Sequence, residues 1–152
     1  MKKYIELKDF CIKHLHVDWF FSEEMPKKVP KENPFIDYVI LRNPENSHEF
    51  SMTLTIEAIS DKEPKVGSFL VKATLMGLFT FTKESKEEEM QYLIRVNGAT
   101  ILYGLLRGHL ATITGAFPKG GKYILPSIYM QEIIPKIEKR KTKAKSPRKK
   151  KS

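Results

Sequence analysis

Apolar and polar residues alternate through the middle of the chain, and this pattern predicts β-strands. The clearest run covers residues 50–58, where every second residue is apolar. A strand points successive side chains to opposite faces, so one face should be buried and the other solvated. The alternation returns over residues 69–81, where Gly77 leaves one apolar position without a side chain. We expect a bend or bulge at Gly77 that divides this run into two strands.

Two earlier segments are less regular. Residues 10–21 predict a first strand, with Cys11, Leu15 and Val17 on its apolar side. Residues 22–44 contain four prolines and predict a long crossing segment, a length of loop that is uncommon inside a domain and often functional. This segment includes one apolar patch, residues 35–41.

The second half of the chain has helical spacing. Ser85-Lys-Glu-Glu88 forms a capping-box pattern, which predicts the start of a helix. The helix should pause at Asn97-Gly98 and resume with a broad apolar face up to Gly115. A short apolar segment, residues 128–134, follows and should end at Pro135. Together these elements predict an α+β fold, in which an antiparallel four-stranded sheet packs with a long helix and a short C-terminal helix.

Small residues interrupt one face of the predicted long helix. Gly104 and Gly108 are four residues apart and flank Leu105, which leaves a shallow strip where another helix could approach. In water this spacing fits pairing between subunits and a merely permissive surface equally well.

The net charge of +9 belongs to one end of the chain. Residues 136–152 carry ten Lys or Arg and one Glu, which accounts for the whole excess, so residues 1–135 are neutral. We predict a domain over 1–135 and a disordered basic tail over 136–152. Such a tail either attracts polyanions such as RNA without sequence selectivity or only increases solubility. The candidate polyanion-binding residues are Lys139, Arg140, Lys141, Arg148, Lys149, Lys150 and Lys151.

Signals for catalysis, cofactors and membranes are weak. The Gly-rich stretch 115–122 lacks the Ser or Thr of a phosphate loop and follows a helix. His14, His16 and Asp18 share a strand face, yet a solvated polar face explains them more simply than a metal site. We therefore predict no enzyme, no cofactor and no metal. A charged N-terminus without an apolar core and a single cysteine predict a cytoplasmic protein, and no apolar run is long enough to cross a membrane.

Residues 97–117, together with Tyr123-Ile-Leu-Pro-Ser-Ile128, resemble the SecB family of export chaperones. The order of strands and helices resembles that family over about residues 10–134. The resemblance implies an ATP-independent holdase, a homotetramer built as a dimer of dimers, which binds unfolded client polypeptides in surface grooves. SecB-like members also serve as chaperones of toxin–antitoxin systems.

The resemblance also implies sites. The expected client-binding residues are Phe35, Tyr38, Ile40, Leu41, Ile128, Tyr129 and Ile133, although the same residues would serve equally well in the domain's own core. The family's acidic contacts with the export motor SecA fall on Asp18, Ser22 and Lys72, and the reversed charge at Lys72 argues against SecA as a partner. The alternative function is a nucleic-acid-binding accessory protein that acts through the basic tail.

Overall fold

Four strands form one antiparallel sheet in the order β1-β4-β3-β2, and helices cover one of its faces. The computed structural model describes residues 4–20, 29–116 and 122–145. The strands are β1 Ile5–Trp19, β2 Phe35–Asn43, β3 Asn46–Ile59 and β4 Phe69–Phe81. The helices are α1 Glu87–Leu93, α2 Ala99–Thr114 and α3 Met130–Lys145. The predicted α+β class with a four-stranded antiparallel sheet is confirmed.

The apolar patch of the crossing segment is the edge strand β2. Its residues pair with β3 so that Ile36 lies opposite Ile56 and Tyr38 lies opposite Leu54. All four side chains are buried, because alternation points them to the face that the helices cover.

Strand β1 begins earlier than residue 10 and is less regular than its sequence indicated. The register with β4 shifts between Leu7 and Asp9 and again between Ile12 and His14. Each extra residue reverses the side-chain alternation. Leu15 therefore packs against the core while Cys11 is exposed, and the prediction that the two share a face is wrong.

The helix after β4 starts and continues differently from the prediction. The Ser85 hydroxyl lies 2.9 Å from that of Thr82 and does not cap the helix; instead, Glu89 accepts a 3.4 Å hydrogen bond from the amide of Lys86. The expected break at Asn97-Gly98 is a wide π-helical turn, Ile94–Gly98, that runs on into α2.

The core lies between the sheet and α2. Strand β4 is continuous through Gly77, so the predicted division into two strands is wrong. A Cβ atom at Gly77 would lie 2.8 Å from the Phe79 ring and 2.9 Å from Leu102 of α2. The missing side chain therefore allows α2 to approach the sheet. Fully buried side chains of this layer include Phe50, Met52, Leu54, Leu75, Phe79, Leu102, Leu106 and Leu110.

Helix α3 does not stop at Pro135. It continues for ten residues to Lys145, so the predicted disorder of the basic segment is wrong for residues 136–145. Met130, Ile134 and Ile137 are buried, and their spacing of four and three residues forms one apolar stripe. Packing of this stripe outweighs the hydrogen bond that Pro135 removes. Residues 146–152 lie outside the described part of the chain.

Candidate functional site

The connector between α2 and α3 is fixed to α2 by side chains. The Tyr103 hydroxyl donates a 2.6 Å hydrogen bond to the carbonyl of Pro126, and Arg107 donates one of 2.9 Å to the carbonyl of Leu125. Leu125 is fully buried. These contacts determine where the next residues, Ser127 and Ile128, leave the surface of α2.

The start of the connector is fixed in the same way. The amide of Tyr123 donates a 2.8 Å hydrogen bond to the Thr114 hydroxyl, and the Tyr123 ring stacks on Phe69 with 6.0 Å between ring centroids. Burial raises the pKa of Tyr123 to about 12, and Asp61 adds to the effect. Burial also raises the pKa of Tyr103, chiefly because the anion would lose its solvation.

Two cavities adjoin at Ile128. The first, of about 380 Å³, lies between the start of β2 and α3 and is lined by Ile36, Ile128, Ile133, Lys136, Ile137 and Arg140, among others. The second, of about 420 Å³, lies between the start of α2 and that of α3, and its lining includes Val96, Ile101, Ile128, Tyr129 and Met130. We call the two cavities together the Ile128 groove.

Three predicted client-binding residues line this groove, and two others are covered. Ile128, Ile133 and Tyr129 line it, and Tyr129 is 74% exposed. Tyr38 is buried beneath α3, where its hydroxyl donates to Glu138, so the expectation of an exposed Tyr38 is wrong. Phe35 lies under the guanidinium of Arg140, 4.3 Å from its carbon to the ring centroid. Both are covered because α3 extends past Pro135.

The remaining two predicted client-binding residues lie elsewhere. Ile40 packs against the core. Leu41 is 64% exposed and pairs with Ser51, which alternation places on the sheet face opposite the helices. The structure therefore separates Leu41 from the Ile128 groove.

Basic residues of α3 contact the edge of the sheet. Arg140 donates a 2.6 Å hydrogen bond to the carbonyl of Ile36, and Lys141 donates one of 2.5 Å to the carbonyl of Tyr38. Lys141 also lies 3.4 Å from Asp37. These two cations therefore donate hydrogen bonds to backbone carbonyls of an edge strand. This role differs from the predicted polyanion binding.

The rest of the predicted polyanion-binding set is divided by the structure. Lys139 is exposed on α3, as the prediction requires. Arg148, Lys149, Lys150 and Lys151 lie outside the described residues.

The comparison with solved structures identifies this architecture. A SecB-like chaperone of Mycobacterium tuberculosis, solved in complex with a ChAD peptide from the HigA1 antitoxin, superposes with a TM-score of 0.52. It is 16% identical, and the match covers 82% of this chain and 90% of that one. The fold is SecB-like.

A second structure supports the same fold. A Streptococcus agalactiae protein of unknown function matches with a TM-score of 0.51 and 10% identity, over 84% of this chain and 100% of that one. No protein-family model matches the sequence, and no curated protein matches it.

Two of the predicted SecA-contact positions, Asp18 and Lys72, lie together on the solvated face of the SecB-like sheet, and Ser22 lies outside the described residues. The Asp18 carboxylate lies 2.9 Å from His16 Nε2, and His16 lies opposite Lys72 in the sheet register. Glu57 lies on the other side of Lys72. This face therefore presents both signs of charge.

The predicted oligomerisation residues also lie together. Gly104, Leu105 and Gly108 line one shallow groove on α2, and a Cβ atom added at either glycine would meet no atom within 4 Å.

The described residues contain neither a cluster suited to a metal ion nor a helix suited to crossing a membrane. No group of three His, Cys, Asp or Glu side chains within residues 4–20, 29–116 and 122–145 is placed to hold a metal ion. Within the same ranges, none of the helices combines the length and apolar character that crossing a bilayer requires.

Sequence reasoning missed Ile36, Lys136 and Ile137 as groove residues. The signal was present, because Ile133 and Ile137 are four residues apart and continue one helical stripe across Pro135. The prediction that the helix ends at Pro135 excluded these residues, although the apolar stripe continues beyond the proline.

Proposed function

We propose that this chain is an ATP-independent holdase chaperone that binds unfolded or extended client segments in the Ile128 groove. The proposal rests on one observation above all, the pair of adjoining apolar cavities that share Ile128 on a SecB-like fold. Apolar client surface covered there would gain on the order of 25 cal/mol for each Å² removed from water, without a catalytic residue or a nucleotide.

The neighbour with a bound peptide supports a polypeptide as the ligand. Since the Mycobacterium tuberculosis protein was solved with an antitoxin segment, we propose that clients of this chain are polypeptides for export or a dedicated client such as an antitoxin. The use of Arg140 and Lys141 against β2 favours this function over binding of nucleic acid through the basic segment.

Suppression of aggregation of a chemically unfolded model protein tests the groove. Tyr129→Ser should weaken suppression several-fold, because it removes the most exposed aromatic surface of the groove. Tyr92→Ser is the matched control, since Tyr92 is 54% exposed on α1 and lines neither cavity. Equal activity of the two variants and the unmodified protein would contradict the proposal, provided that circular dichroism shows all three folded.

We also propose that the chain forms a homotetramer in which the α2 surface at Gly104, Leu105 and Gly108 lies between subunits. The open groove along this surface supports it, because a helix of another subunit could approach closely there. Gly108→Arg should lower the mass measured by light scattering without unfolding the subunit, since a side chain at residue 108 meets no atom of its own chain within 4 Å. A monomer mass for the unmodified protein at micromolar concentration would refute the assembly.

A further inference from the structure

The β2 side of the Ile128 groove combines an apolar floor with cations. Ile36, Ile128, Ile133 and Ile137 supply the apolar surface, and two cations, Lys136 and Arg140, stand on the same lining with one acid, Glu32. A ligand that fills this cavity therefore meets both kinds of surface at once. An isoleucine floor alone would accept apolar segments of any charge.

The two cations are available to different degrees. Lys136 is exposed and forms no ion pair within the described residues. Arg140 is one-third exposed: its Nη2 donates to the Ile36 carbonyl, whereas its Nη1 lies 3.2 Å from Glu32, whose own side chain is 69% exposed. Because Glu32 is so exposed, a carboxylate from a ligand can take its place beside Arg140 at little cost in buried contacts.

The neighbouring charge has the same sign. Lys139, Lys143 and Lys145 are exposed on α3, while Glu138 is engaged by the Tyr38 hydroxyl. Glu132 is the remaining acid of this helix. The summed field along α3 is therefore positive, and it attracts anionic ligands toward the cavity.

We propose, as an extension of the proposed chaperone function, that the groove selects extended client segments in which Asp or Glu stands beside apolar residues. The apolar side chains fill the isoleucine-lined cavity, and the carboxylate pairs with Lys136 and Arg140. Segments rich in Lys or Arg meet like charge at the same place and bind more weakly.

Three fluorescent peptides with identical apolar residues and with Glu, Gln or Lys flanking them test the selection. Fluorescence anisotropy at about 50 mM salt should give the tightest Kd for the Glu peptide and the weakest for the Lys peptide, about three- to tenfold apart. At about 0.5 M salt the difference should shrink to within about twofold, because screening shortens the range of the charges.

Two charge reversals locate the effect. Lys136→Glu should reverse the order of the Glu and Lys peptides, whereas Lys83→Glu, with the same change in net charge, should not. Lys83 is remote from the groove. In the sheet register Ile36 pairs with Ile56, and Ile56 pairs with Ala73. Phe81 lies roughly 26 Å from Ala73 along β4 at 3.3 Å per residue, and Lys83 lies beyond Phe81.

The outcomes separate the two proposals. If no peptide of any charge binds, the chaperone proposal fails and the selection fails with it. If peptides bind but the Lys peptide binds as tightly as the Glu peptide, or the two variants behave alike, only the selection is overturned. A single-stranded RNA oligonucleotide that binds more tightly than the Glu peptide and loses affinity in Lys136→Glu would also overturn it, because the cations would then serve nucleic acid.

Discussion

A missing side chain at Gly77 determines how closely α2 lies against the sheet. The nearest atoms to a Cβ at this position belong to Phe79 and Leu102, at 2.8 and 2.9 Å, and both residues are fully buried. Real Cβ atoms essentially never approach so closely, so any side chain at residue 77 forces two core side chains to move.

Replacement of Gly77 by alanine should therefore lower the free energy of unfolding by about 1–3 kcal/mol, the usual cost of overpacking a core. Urea titration followed by circular dichroism measures it. Thr74→Ala, on the solvated face of the same strand, is the control and should change the free energy of unfolding by less than about 1 kcal/mol. Equal effects of the two substitutions would show that helix packing does not depend on residue 77.

Individual residues were the hardest part of the structure to predict. The pattern around Gly77 shows that a side chain is missing, but not that Leu102 approaches from 25 residues away along the chain. Cys11 was placed on the wrong face for a similar reason, because the register shift between Ile12 and His14 reverses the alternation between Cys11 and Leu15.

At the scale of elements, the connector depends on two tyrosines whose phenols are protonated. The pKa of Tyr123 is raised to about 12 by burial, and that of Tyr103 is raised by burial as well. An unfolded tyrosine titrates near 10, so this contribution to stability is complete below pH 10 and is lost as the pH rises above it.

Stability should therefore fall with pH between about 10 and 12, and Tyr103→Phe should reduce the steepness of that fall. At pH 7 the same substitution removes the hydrogen bond to Pro126 and should cost about 1 kcal/mol. Urea unfolding at a series of pH values up to 11 measures both effects. An equally steep fall in Tyr103→Phe and in the unmodified protein would contradict the assignment.

Elements were predicted well where periodicity was uninterrupted and poorly where a local rule opposed it. The alternation over residues 50–58 identified β3, and the helical spacing identified α2. The rule that proline ends a helix predicted that the last helix stops at Pro135. Helix α3 continues past it because Ile134 and Ile137 are buried against residues distant in the sequence. Lys136, Ile137 and Arg140, which line the groove beyond Pro135, were therefore missing from the predicted groove.

At the scale of the whole molecule, the last helix closes the sheet edge formed by β2. Ile137 is buried, and Arg140 and Lys141 donate hydrogen bonds to the carbonyls of Ile36 and Tyr38. Residues 1–135 are therefore not a self-contained unit within the described structure. An uncovered edge strand offers unpaired backbone groups to other chains.

Two truncations test this dependence. A chain ending at Lys145 keeps every described contact of α3 and should match the full protein in unfolding midpoint and in mass. A chain ending at Pro135 should unfold at lower urea concentration and form larger, concentration-dependent species, measured by light scattering. The idea fails if the shorter chain is as stable and as uniform in mass as the longer one.

The contact between α3 and β2 also has a consequence for synthesis. Arg140 lies 104 residues after Ile36, so the ribosome completes β2 long before the residues that cover it. At a translation rate of about 5–20 residues per second, strand β2 remains uncovered by α3 for roughly 5–20 s. During that interval the nascent chain presents the kind of extended, apolar segment that the mature protein is proposed to bind, so the proposed function would make folded copies of this chain chaperones of its own synthesis.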